Sequence, residues 1–293
     1  MMNKKISYYK ESGSYHAPSL LISVLFLISL SLLLAYLYNA LTLVMPIIYI
    51  NVLLVFGIGI VLGYSVLVLC KLSKVGNYKI RIGLALLIGI ITLYFQWSAY
   101  IGYLINEGSH SLESYINSLG WIFYDSIEKE VLVELYHYGA YEVFNTQVTD
   151  YALFFIWLIE AAIIIAIPIL AVFRYVPLPI SGTYNKFYDQ YTLEKDFRSL
   201  GSGELTALRI HEGPAAALQE FEGGKANRHS KIKIFYLPQE SKQYLKAENI
   251  SIQRGNESKT AVDVIVKYLE ISTPQAKELL ETFRHRKDGF QLL

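Results

Sequence analysis

Cysteine is almost missing from this chain. Cys70 is the only one among 293 residues. A single thiol makes no intrachain disulfide and no multi-cysteine metal site. It closes an uncharged apolar run, so a buried, unreactive thiol is expected. Charge is scarce too: 17% of residues are Asp, Glu, Lys or Arg, against 53% apolar. That balance is more typical of membrane chains than of soluble ones. The net charge of +1 provides no global field for nucleic acid, and no nucleic-acid partner is expected. The chain also lacks a phosphate-binding glycine loop with its Lys, and a Gly-x-Ser-x-Gly elbow. Gly201 to Gly203 and Gly223 to Lys225 are too short for the first. His211, His229 and His285 are scattered without an assignable acid or base partner. No enzyme activity and no cofactor are expected, and no family motif stands out.

The scarcity of charge is uneven. Four segments are nearly free of it: residues 18–38, 47–69, 82–103 and 151–173. About 20 apolar residues cross the roughly 30 Å of bilayer hydrocarbon. Backbone groups in lipid must pair within the segment, which predicts four helices. Lys4, Lys5 and Lys10 precede the first segment, as in a signal peptide. Its apolar run is longer than a signal core and no small-residue cleavage pattern follows, so it reads as a retained span.

Basic residues in short loops set the orientation. Residues 1–17 carry Lys4, Lys5 and Lys10, and the loop after the second span carries Lys71, Lys74, Lys79 and Arg81. The stretch 106–150 has Lys129 alone. Both termini are therefore expected in the cytoplasm, with 106–150 outside. Richness in Lys, Ile, Asn and Tyr points to an AT-rich bacterial genome, and so to the bacterial cytoplasmic membrane.

Glu160 is the one acid within the spans. A carboxylate at that depth costs a few kcal/mol or more unless it faces the bundle interior, is paired or is neutral. Gln96 lies at comparable depth on the third span and Ser31 on the first. Ser29 falls in the same half, and Asn51 lies nearer the surface. Two readings follow: a polar layer that holds helices together, or a path for protons or cations. Gly59 and Gly63 share one face of the second span, and Ala85 and Gly89 repeat the spacing on the third. Small residues four apart let helices approach closely, here within one bundle or as a dimer face. Pro168 is expected to kink the fourth span.

Residues 112–144 carry Leu112, Tyr115, Ile116, Leu119, Ile122 and Phe123 at helical intervals. One or two amphipathic helices lying on, or capping, the outer ends of the spans are predicted. Two Glu-x-x-His patterns, Glu107/His110 and Glu134/His137, place potential metal ligands on one helical face, but further facing carboxylates are not evident. No metal is assigned.

From Arg174 onward the composition is that of a soluble domain, with 18 Lys and Arg against 15 Asp and Glu. Strands are predicted over 232–237, 249–253 and 262–271. Thr273 is expected to cap a final helix reaching about Arg284, with Pro274 in its first turn. Residues 204–222 suit a short strand or helix broken at Gly213 and Pro214. Lys225, Arg228, His229, Lys231 and Lys233 form a basic cluster, read as a solvated turn or as a contact to lipid headgroups or a partner.

The fold class is thus an all-α four-helix transmembrane bundle (18–174) joined to a small cytosolic α+β domain (175–293). The bilayer is the first expected partner. The leading expectation for function is an anchor, scaffold or sensor that presents an interaction domain to a protein partner. The alternative is a channel or transporter subunit built on the layer around Glu160, which requires a homo-oligomer.

Overall fold

A computed structural model describes residues 6–44, 48–105, 111–120, 127–139, 141–143, 146–175, 177–253 and 259–289. The chain forms two compact units, residues 15–176 and residues 1–14 together with 177–293.

The first unit is helical. Its long helices are α1 (Ala17–Val44), α2 (Ile48–Leu72), α3 (Tyr78–Ile105) and α6 (Asp150–Arg174). All four are long and apolar enough to cross a membrane. At 28 residues, α1 and α3 are each about 42 Å long. They are apolar all round, and their outer surface keeps large side chains such as Leu25, Phe26, Ile60, Phe155 and Ile159 exposed. A helix of that kind is buried in protein or in lipid. The bundle's seam combines buried apolar side chains such as Leu27, Val55, Leu62 and Ile164 with small and polar ones.

Two glycines set the α2–α6 distance. A Cβ on Gly59 would meet Ile167 at 3.0 Å, and one on Gly63 would meet Ala171 at 2.9 Å and the Pro168 Cα at 3.2 Å. Gly89 does the same for α3, where a Cβ would lie 3.0 Å from the Ile165 Cα. The helix α6 continues through Pro168.

The α2–α3 connection is short because α2 ends in a Schellman motif. Lys74 is left-handed (φ 51°), the Lys74 N–H donates to Lys71 and the Val75 N–H donates to Cys70. Beside this turn Arg81 is fully buried, donates to the Val75 carbonyl at 2.9 Å and lies over the rings of Tyr78 and Tyr175. Ser23 and Ser73 bond through their hydroxyls at 2.7 Å at the same end.

Between α3 and α6 come α4 (Leu112–Ser118), α5 (Ile127–Tyr138) and a hairpin of β1 (Tyr141–Val143) and β2 (Thr146–Val148). The hairpin was not predicted. The predicted apolar stripe of α4 turns inward only in part: Tyr115 is buried beside Ser114, whereas Leu112 and Ile116 are 58% and 53% exposed. Hydrogen bonding decides this. Ser114 donates to the Gly102 carbonyl, Ser118 to the Ser98 carbonyl and Tyr115 to the Leu32 carbonyl. The Tyr94 hydroxyl donates to the Leu119 carbonyl. So α4 runs back antiparallel along α3 rather than lying flat across the helix ends. Ile122, Phe123 and the pair Glu107/His110 lie outside the described residues.

The second unit is an antiparallel five-stranded sheet in the order β8-β7-β6-β5-β9. Its strands are β5 (Asp189–Leu193), β6 (Arg228–Tyr236), β7 (Lys242–Gln253), β8 (Lys259–Ser272) and β9 (His285–Lys287). A minor pair, β3 (Ile180–Ser181) and β4 (Lys186–Phe187), precedes them. One face packs Ile232, Ile234, Leu245 and Leu269 under α7 (Gly203–Glu212), α8 (Pro214–Glu220) and α9 (Thr273–Thr282). Gly213 separates α7 from α8, and Pro214 opens α8. The cap of α9 is Ser272, in a reciprocal capping box with Gln275, rather than Thr273.

The other face carries an aromatic cluster of Tyr188, Phe235, Tyr244 and Tyr268, with Tyr9 packed against it. A bulge in β8 builds this site. Register shifts between Leu245 and Ala247, and Tyr268 adopts φ 52°. The N-terminal segment pairs with the edge at that point. Tyr9 N–H donates to the Tyr268 carbonyl at 2.9 Å, and Glu270 N–H donates to the Ser7 carbonyl at 2.8 Å. Residues ahead of the first helix thus extend the sheet.

Candidate functional site

The bundle's polar layer lies in the half that ends at Asp150 and Ile105. Each long helix brings one element of it to the buried seam. On α1, positions Ser23, Leu27, Ser31, Ala35 and Asn39 recur every four residues and are all buried. On α2, Asn51 begins a buried stripe continued by Val55, Ile58, Leu62 and Val66. On α6, Glu160 shares its stripe with Leu153, Ile164, Pro168 and Val172. Gln96 on α3 lies seven residues, about two turns, above Gly89 on the face turned to α6.

Helix register puts these side chains at one level. The contacts of Gly59 with Ile167 and of Gly63 with Ala171 make α2 and α6 parallel. Asn51 precedes Gly59 by eight residues, as Ile159 precedes Ile167, so it stands beside Ile159 and Glu160. The helices α3 and α6 are antiparallel: Gly89 meets Ile165, and the rings of Trp97 and Trp157 are 4.9 Å apart. Gln96 therefore stands at Leu158, within a turn of Glu160.

The hydrogen bonds are unevenly distributed. Tyr38 donates to Glu160 Oε1 at 3.3 Å. Asn39 donates to the carbonyls of Ala35 and Gln96, both at 3.0 Å. Ser31 accepts from Thr92 at 2.9 Å, one turn further in. Ser29 is exposed and bonds back to Leu25. Within the layer, among the described residues, two side chains are left wanting. Asn51, 1% exposed, has neither Oδ1 nor Nδ2 paired, and Gln96, 8% exposed, has Oε1 unpaired. Each such group costs about 1–3 kcal/mol when left dry.

Ser31, Gln96 and Glu160 were legible as polar residues in apolar spans. Tyr38, Asn39 and Thr92 were not singled out as their partners. The four-residue spacing of Ser23, Ser31, Ala35 and Asn39 on a helix otherwise rich in Leu was the available signal.

Other candidates resolve into structure. Glu134 is exposed, and His137 pairs with Asp150 at 3.0 Å. Among the described residues no group of three His, Cys, Asp or Glu side chains could hold a metal. In the basic cluster, Lys231 pairs with Asp196 and Lys233 pairs with Glu248. Glu248 also takes Lys246 at 2.5 Å. Burial alone would raise the Glu248 carboxyl, but hydrogen bonds from Lys246 and Lys233 outweigh it and hold the group below its ordinary range.

Comparisons with protein-family models, curated proteins and solved structures give no match.

Proposed function

We propose that this protein is a four-span membrane anchor that holds a small interaction domain at the cytoplasmic face of a bacterial membrane, as a non-enzymatic scaffold or sensor. The observation that carries this reading is the sheet's second edge partner. The segment before α1 (Ser7 to Tyr9) and the segment after α6 (Leu178 to Ile180) are both built into one domain. Four crossings, an even number, bring the two segments to one side. The loop charges favour the cytoplasm for that side: Lys71, Lys74, Lys79 and Arg81 flank the α2–α3 turn.

The domain also offers a surface for a partner. On α7, Leu205 and Leu208 are exposed, and on β8 so are Val262 and Val264. The start of α7 lies against β8, where a Cβ on Gly203 would meet the Ile265 carbonyl. Exposed apolar side chains grouped on a domain mark interaction sites.

Crosslinking in native membranes, followed by purification in mild detergent, tests the reading. A specific partner is expected, and Leu205→Asp with Val262→Asp is expected to release it. Elution of the chain alone under every crosslinking condition refutes the scaffold role.

A further inference from the structure

We propose that the bundle binds one alkali-metal cation in its Asp150 half, between the Glu160 carboxylate and the side-chain oxygens of Asn51 and Gln96. The site goes beyond the anchor reading and does not depend on it, since nothing in its test involves a partner.

The argument begins with unmet hydrogen-bonding need. Asn51 and Gln96 sit on different helices, and both bring unpaired, buried oxygens to the seam. Helices that are apolar all round had no packing reason to place amides there. Leu or Val would fill the same stripe, as Val55 and Leu62 do one and three turns along α2. Unpaired polar groups in a dry seam are costly, and a bound cation meets the need of both side-chain oxygens.

The ligand set then selects the ion. Carboxylate and amide oxygens are hard donors that suit hard cations. No His or Cys stands at this level, so the soft and borderline metals lack their usual ligands. Charge fixes the valence. Among the described residues, Glu160 is the only Asp, Glu, Lys, Arg or His that the four stripes bring to the layer. Tyr38 donates to it, and Tyr100 lies within its electrostatic reach. One negative charge balances one positive charge, whereas a divalent ion would leave a net charge buried between apolar helices. Tyr38 orients the carboxylate through Oε1, which leaves Oε2 for the ion.

Trp97 follows Gln96 directly, and Trp157 lies three residues before Glu160, its ring 4.9 Å from that of Trp97. This indole pair reports on the layer. The full-length protein carrying Trp121→Phe is titrated in mild detergent with LiCl, NaCl or KCl, at ionic strength held constant with choline chloride. Tryptophan emission and thermal unfolding are both read. A saturable emission change with at least one of the three cations, not reproduced by choline, is expected. Asn51→Leu and Gln96→Leu are each expected to weaken it about tenfold or more, and Glu160→Gln to abolish it. Asn51→Leu is also expected to unfold at a higher temperature than the parent in choline, because the unmet amide is gone, and to lose the parent's stabilisation by the cation. That pair of melts keeps the test decisive if Glu160→Gln fails to fold. A parent without a saturable response to any of the three ions overturns the proposal. So does a response that survives both Leu variants, or one that follows pH alone, which would make the occupant a proton.

Discussion

The phenol oxygen of Tyr9 accepts a hydrogen bond from the backbone N–H of Ile180 at 3.2 Å. Tyr9 precedes the first membrane helix and Ile180 follows the last. The same ring packs edge-on against Tyr244 and Tyr268, with centroids 5.1 and 6.1 Å away. One side chain therefore ties both flanks of the bundle into the sheet domain. Tyr9→Ala is expected to cost about 1–3 kcal/mol of domain stability, from lost aromatic packing and a lost hydrogen bond. Hydrogen exchange checks it: the amides of Ile180 and Glu270 should lose protection, while those of β6 keep theirs.

The glycines of α2 are not equivalent. A Cβ at Gly63 would press on Ala171 and on the backbone of Pro168, whereas one at Gly57 meets nothing within 4 Å. Gly63→Val is expected to destabilise the bundle by about 1–3 kcal/mol through overpacking. Gly57→Ala is expected to be neutral or to stabilise by about 0.5–1 kcal/mol, as Ala does in helix interiors. Melting temperatures in one detergent compare them.

Glu248 gives the domain an acid-sensitive joint. Its carboxyl titrates lower folded than unfolded, because the bonds from Lys246 and Lys233 outweigh burial. A depressed carboxylate contributes stability that is present above its unfolded value and is lost as pH falls through the folded one. Stability should therefore decline with acid below the ordinary value of 4.5. Glu248→Gln should flatten that decline and cost about 1–3 kcal/mol at neutral pH. Urea unfolding of the detergent-solubilised protein across pH is the measurement.

The helix α4 is held by side-chain hydroxyls as well as by the buried ring of Tyr115. Ser118→Ala removes bonds to the Ser98 and Tyr115 carbonyls, and Tyr115→Phe removes one to Leu32. Each is expected to cost about 1 kcal/mol. Leu112→Ala should cost far less, since Leu112 is largely exposed. Protease cleavage after Glu113 should speed up in the first two variants and not in the third.

The sequence by itself determined the four long helices and the sheet-rich unit after Arg174. Length and lack of charge force helices wherever the backbone must pair with itself, and alternation of Val, Ile and Tyr marks strands. It also exposed Glu160, Gln96 and Ser31, because polar residues are conspicuous in apolar runs. Periodicity served only in part for α4: Tyr115 of the apolar stripe is buried, but Leu112 and Ile116 are exposed and serines make the other contacts. Short strands such as β1, β5 and β9 carry too few residues for a period to show. Only the tertiary structure decided which polar groups meet. Tyr38 reaching Glu160, and Asn51 and Gln96 left unpaired at its level, follow from the offsets set by Gly59, Gly63 and Gly89 across helix pairs. Such offsets depend on how close two backbones can come, and a single chain of letters does not record the neighbour's position. The place of Tyr9 on the sheet arises in the same way: the bulge at Tyr268 opens an edge that a segment more than 250 residues earlier fills.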